Sequence, residues 1–145
     1  MRAIAWIYLS RHSLTSKELL EALSIRENDA RSDAMGMTTI ETILSITGGL
    51  LTYEKESGIV RLMHETLREF LYHSASILPE THLSVLRTLT KYLEFKTFSA
   101  QPTERRNIAW ATASSSLREN GLLRYAFLNW NYHCNESGNS ARALV

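Results

Sequence analysis

Cysteine occurs once among the 145 residues, at Cys134, so no disulfide can close within the chain and no cysteine cluster can hold zinc. A reducing, cytoplasmic setting is the simpler expectation, with Cys134 a small buried hydrophobe on a helix. Charge of one sign is lacking too: 16 basic and 15 acidic residues leave a formal +1. No whole-chain field therefore draws the protein to nucleic acid, a membrane surface or an acidic substrate. Long apolar runs are also missing. The stretch Ala3-Ile4-Ala5-Trp6-Ile7-Tyr8-Leu9 is too short to span a bilayer, and Arg11-His12 follow it with no small-residue cleavage site. No membrane partner is expected, and the chain reads as beginning inside a helix.

Catalytic signatures are absent as well. The phosphate-cradling loop G-x-x-x-x-G-K-[ST] appears nowhere. Of the histidines His12, His64, His73, His82 and His133, no two stand at i, i+4, and His64-Glu65 runs into Thr66, Leu67 and Arg68 rather than completing H-E-x-x-H. There is no G-x-S-x-G, and Cys134 has only His133 as a sequence neighbour. The expectation is a chain that is not an enzyme, with no catalytic residue, no metal ligand and no cofactor of its own.

What is present suffices for a core: 44% of residues are apolar, in a length that fits one ordinary domain or a small domain with an appendage. Ile4, Ile7, Tyr8 and Arg11 at helical spacing predict a first helix ending near His12. Thr15-Ser16-Lys17-Glu18 is a capping box opening a second helix that buries Leu19, Leu20 and Leu23. Ser24 to Met37, with Asn28, Asp29, Ser32, Asp33 and Gly36, reads as a mobile loop. Thr38-Thr39-Ile40-Glu41 offers a second capping box for a third helix carrying Ile40, Ile43 and Leu44, which Gly48-Gly49 stops. Leu50 to Glu54 and Ile59 to Met63 read as strands joined by Lys55-Glu56-Ser57-Gly58, a turn whose glycine supplies positive φ. A helix then places His64, Leu67, Leu71 and Ser74 on one face, with Phe70 beside them.

Pro79 breaks the chain. Beyond it, Glu80 to Phe95 predicts a helix with Leu83, Leu86, Leu89 and Leu93 along one side. Ser99 to Ser116 is less regular, and Leu123, Phe127, Trp130 and Cys134 recur at heptad-like spacing on a final helix whose end, from Asn135, looks frayed. No internal repeat occurs. The expected fold is mainly α with a small β-hairpin: a winged-helix domain over residues 1–78, then a helical extension over 79–145 with an irregular linker at 97–116.

His64 is the candidate functional residue. An imidazole at the start of a helix sits beside the positive end of its dipole and can donate to an anion. The plainer alternative is a structural histidine bonding a backbone group where wing meets helix. Winged helices often bind DNA, but the helix after the loop, Thr38 to Ile46, has no Lys or Arg and one carboxylate, so it can neither neutralise phosphates nor read guanine in the usual way. Lys55 and Arg61 on the wing are matched by Glu54 and Glu56. Arg105-Arg106, preceded by Glu104, are ordinary solvated charge, and Trp6, Trp110 and Trp130 are expected in the core or at contacts between domains.

Four blocks carry a resemblance: Ala5-Trp6-Ile7; Leu14-Thr15-Ser16-Lys17-Glu18-Leu19-Leu20-Glu21-Ala22-Leu23; Gly48-Gly49-Leu50-Leu51; and Val60-Arg61-Leu62-Met63-His64-Glu65-Thr66-Leu67-Arg68-Glu69-Phe70-Leu71. Together they resemble the winged-helix and helical segment that follows the NACHT domain in fungal NLR-like signal-transducing (STAND) ATPases. Leu89 to Phe95 and Leu123 to Trp130 look like the helices that lead there toward ankyrin or WD repeats. In that class a Met-His-Asp triplet stands at the wing-to-helix junction, and its histidine touches bound ADP. Met63-His64-Glu65 is similar, with Glu in place of Asp. The resemblance implies a non-catalytic regulatory and interaction module whose partners are a NACHT nucleotide-binding domain and ankyrin or WD repeats, in one protein or in trans. ADP or ATP would be met only through that nucleotide-binding domain, with His64 as the contact, and no nucleic acid is expected. A stand-alone DNA-binding winged helix is one alternative. A truncated interaction relic without activity of its own, suggested by the abrupt start at Met1, is the other.

Overall fold

The structure, a computed structural model, describes residues 1–25, 38–99 and 121–142. Its first helix, α1 (Arg2–Leu9), buries six of its eight residues, Ala3, Ile4, Ala5, Trp6, Ile7 and Leu9. It stops before the expected His12 because Ser10 turns extended and closes the last turn, its N–H donating to the Trp6 carbonyl at 3.0 Å. Arg11 and His12 are thereby exposed on the loop that follows.

Strand β1 (Leu14–Thr15) was not foreseen, since two residues carry no alternation to detect. It leads directly into α2 (Ser16–Ser24), and here the capping box stands as expected. The Glu18 N–H donates to the Thr15 hydroxyl at 3.2 Å, while the Glu18 carboxylate accepts from the Thr15 N–H at 2.7 Å. Replacing Thr15 with Ala removes one of these bonds and should cost about 1 kcal/mol in a urea titration. An unchanged midpoint would mean that Glu18 alone holds the helix start.

Helix α3 (Ile40–Ile46) is capped one residue later than expected: Thr39, not Thr38, accepts from the Thr42 N–H at 3.3 Å. Gly48 and Gly49, at φ 61° and 81°, end it in the left-handed region that side chains with a Cβ avoid. Strands β2 (Leu51–Glu54) and β3 (Ile59–Leu62) pair antiparallel with Leu51 opposite Leu62 and Glu54 opposite Ile59. Gly58, at φ 70°, closes their turn by donating to the Glu54 carbonyl at 2.8 Å. On the other edge of β3, β1 aligns Leu14 with Val60, giving the antiparallel order β1-β3-β2. Helix α4 (Glu65–His73), a 3₁₀ turn (Ala75–Ile77), α5 (His82–Ser99) and α6 (Gly121–Arg142) complete the described chain. The fold is mainly helical with a small three-stranded sheet, in winged-helix order followed by a helical extension.

The extension packs back on the winged helix. Helices α5 and α6 lie against each other, and α6 also runs along α2. One apolar core joins Trp6, Leu14, Leu19 and Val60 to Val85, Leu89, Leu122 and Tyr125. Helix α5 continues through Ser99 and α6 to Arg142, past the ends expected for them. Residues 97–99 of the expected linker belong to α5, and the rest of it, with Trp110 and Arg105-Arg106, and the loop from residue 26 to 37 lie outside the described residues.

The leucine and aromatic stripes hold only in part: Leu89 is buried and Leu93 and Leu123 pack against the core. On α5, Leu83 is exposed, and the buried side is Val85, Thr88, Leu89 and Tyr92. On α6, Phe127, Trp130 and Cys134 face outward, contrary to the expected buried Cys134, and the inner face is Leu122, Tyr125, Ala126, Asn129 and His133. Phe70 on α4 is also exposed, leaving Leu71 as that helix's buried anchor.

Candidate functional site

His64 is the N-cap residue of α4, in an extended conformation, and its imidazole makes no capping hydrogen bond. Met63, His64 and Glu65 are all exposed. The structural alternative, an imidazole that bonds the backbone at this junction, thus lacks its capping bond. Beside the triplet runs a short apolar strip. The Met63 N–H donates to the Leu50 carbonyl at 2.9 Å, and the Leu50 N–H to that of Thr47 at 3.2 Å, so the end of α3, the start of β2 and the end of β3 are knit together. Ile46, Leu50 and Met63 are 74%, 42% and 47% exposed. Glu65 pairs loosely with Arg68 one turn along, at 3.6 Å.

The outer face of α3 carries Glu41, Thr42, Ser45 and Ile46. A hydrogen bond from its own backbone N–H, with Thr39 second, holds the Glu41 carboxyl below the usual carboxylate range. This face carries one carboxylate and no basic residue of its own, with Lys55 of the wing close enough to act on Glu41. On the wing, Arg61 sits 3.8 Å from Glu54, as the matched charges suggest.

Inside the helical half lies a polar cluster that periodicity did not reveal. His133, fully buried on α6, faces the Tyr125 hydroxyl through Nε2 at 2.9 Å and His82 of α5 through Nδ1 at 3.0 Å. The Arg11 N–H donates to that same tyrosine oxygen at 3.3 Å, and the Asn129 amide meets His12 at 3.2 Å. One consistent proton pattern has Tyr125 donating to His133 Nε2, and His133 Nδ1–H donating to His82. Burial pushes the His133 imidazole down to about 4, with His82 contributing, and burial lowers His82 as well. Burial raises the Tyr125 phenol. The polar residues on the inner face of α6 are the signal that was available: an Asn and a His at i, i+4 from Asn129 to His133 fit a satisfied buried network.

A second polar tie fixes the start of α6. The Glu21 carboxylate of α2 accepts from the Tyr92 hydroxyl at 3.0 Å and from the Leu122 N–H at 3.1 Å, so it answers an otherwise orphaned first-turn donor. Burial, then Glu21, pushes the Tyr92 phenol well up. Among the described residues no group of three or more His, Cys, Asp or Glu is arranged to hold a metal, and no helix is long and apolar enough to cross a membrane.

Compared with protein-family models, curated proteins and solved structures, the chain matches none.

Proposed function

We propose that the chain is a non-catalytic regulatory and interaction module of a NACHT-type nucleotide-switched protein, packing on a nucleotide-binding domain and linking it to ankyrin or WD repeats. The observation that carries this reading is the outward-facing His64, without a capping bond at the wing-to-helix junction and flanked by the exposed strip Ile46, Leu50 and Met63. An apolar strip of this kind suits contact with another domain, and the imidazole at its edge is available to a ligand held there. The lack of any Lys or Arg on α3 favours this over DNA binding.

The proposed switch works through a difference in affinity. ADP bridging the nucleotide-binding domain and His64 favours the closed arrangement, and exchange for ATP releases the arm; couplings of this sort amount to about 1–3 kcal/mol. In the complete protein, His64→Ala should speed ADP release about 5- to 100-fold while leaving the melting curve of the isolated chain unchanged, because the side chain is exposed. An unchanged off-rate removes the sensor role. A transcript with no in-frame G-x-x-x-x-G-K-[ST] upstream of Met1 removes the in-cis form of the proposal. A salt-sensitive shift of duplex DNA by the isolated chain would favour the DNA-binding alternative instead.

A further inference from the structure

We infer that the isolated module carries a binding site for a small phosphate-type dianion, formed where the α1–β1 loop, β3 and the start of α4 meet. A cleft of about 360 Å³ opens there, and three arginines from three elements line it: Arg11 from the loop, Arg61 from β3 and Arg68 from α4. His12 and Ser13 stand on the same rim, and Glu65 is the one carboxylate among the lining residues. The lining residues include three arginines and one carboxylate, and Glu54, 3.8 Å from Arg61, stands outside the lining as a second acid, which leaves a local excess of one positive charge.

The guanidinium groups are weakly engaged. Arg61 stands 3.8 Å from Glu54 and Arg68 stands 3.6 Å from Glu65, both longer than a hydrogen bond between charged groups. Arg11 has its guanidinium carbon 5.7 Å from the Tyr132 ring centroid, and Arg68 has its own 5.9 Å from that of Tyr8. Exposed pairs at such range are weak, so the planar N–H forks can turn to a better acceptor at small cost. Arg11 and His12 follow the negative end of α1, and complementing that dipole would by itself account for both. It does not account for Arg61 in the central strand or Arg68 on another helix. A ligand bearing two negative charges on oxygens that accept paired N–H bonds suits this set of arginines; phosphate esters and pyrophosphate have this chemistry. The site is separate from His64, which does not line the cleft, and it stands whether or not a nucleotide-binding domain is a partner.

The test is titration of the full ¹⁵N-labelled chain with inorganic pyrophosphate and, separately, with glycerol 3-phosphate, against sodium chloride of equal ionic strength. Saturable amide shifts over residues 10–13 and 60–62 are expected with pyrophosphate. The same shifts with glycerol 3-phosphate would point to an esterified phosphate as the natural ligand, and their absence to a free polyphosphate. Arg61→Gln and Arg68→Gln should each weaken binding about tenfold, while Arg124→Gln, exposed on α6 outside the cleft, should not change it. No saturation below about 10 mM overturns the proposal, as does an equal response to chloride or an equal loss with Arg124→Gln.

Discussion

Trp6→Ala should destabilise the protein by about 3–5 kcal/mol, a large share of the total stability of a domain this size. Trp6 is the largest of the fully buried side chains, and it sits on a helix that is buried on nearly every side. Its loss leaves a cavity where α1 meets α2 and β3, the two elements that α1 packs against most. The indole offers a finer test. Trp6 Nε1 is a buried donor with no hydrogen-bond partner, and an orphan of that kind costs about 1–3 kcal/mol. Trp6→Phe keeps most of the apolar area and sheds the orphan, so it should cost less than half as much as Trp6→Ala in urea denaturation. Equal costs for the two variants would show that the indole N–H is satisfied in solution, and the packing account would then need a bound water.

The features legible in the sequence were those set by near neighbours along the chain. The Thr15 capping box spans three residues, and the glycines at 48, 49 and 58 announce positive φ by having no side chain, so helix starts, stops and the wing turn could be read directly. Strand β1 could not, because Leu14 and Thr15 become a strand only by meeting Val60 and Ile59, some 45 residues on in the register. Faces were misread where the inner side of a helix is polar. Counting apolar residues selects Leu123, Phe127, Trp130 and Cys134, whereas α6 turns Tyr125, Asn129 and His133 inward because their polar atoms find partners on α5 and the α1–β1 loop. Once such groups are paired, the penalty that normally keeps them outside disappears, and shape decides which face is buried. The His64 junction was legible as a position, and its missing cap bond became visible only with the fold.

Acid should unfold the helical half through His133. Its folded-state value near 4 lies below the ordinary 6.5, so the neutral imidazole is the form the fold accepts. The sign follows from that direction: stability is fully present above about pH 7, falls as the unfolded chain begins to bind a proton near 6.5, and stops falling below about 4. A difference of this size corresponds to about 3 kcal/mol in all, of which about 2 kcal/mol is gone by pH 5, and His82 shifts in the same direction. The groups around the pair are Tyr125 and Tyr132, with Arg11 over the latter ring, and Glu136 favours the charged form of His82. With His133 Nδ1–H donating to His82, a second proton on His133 goes to Nε2 and displaces the Tyr125 hydrogen bond, whereas one on His82 Nδ1 sets two N–H groups 3.0 Å apart and breaks the bond that ties α5 to α6. Urea titrations between pH 7.5 and 4.5 should therefore show uptake of about one proton on unfolding near pH 5.5, beyond what the carboxylates contribute. His133→Phe should lower stability at pH 7.5, where the hydrogen bonds are lost, and close or reverse that gap at pH 4.5. Parallel pH profiles for the two proteins would show that the pair titrates as freely in the fold as outside it, and that another group governs the acid transition.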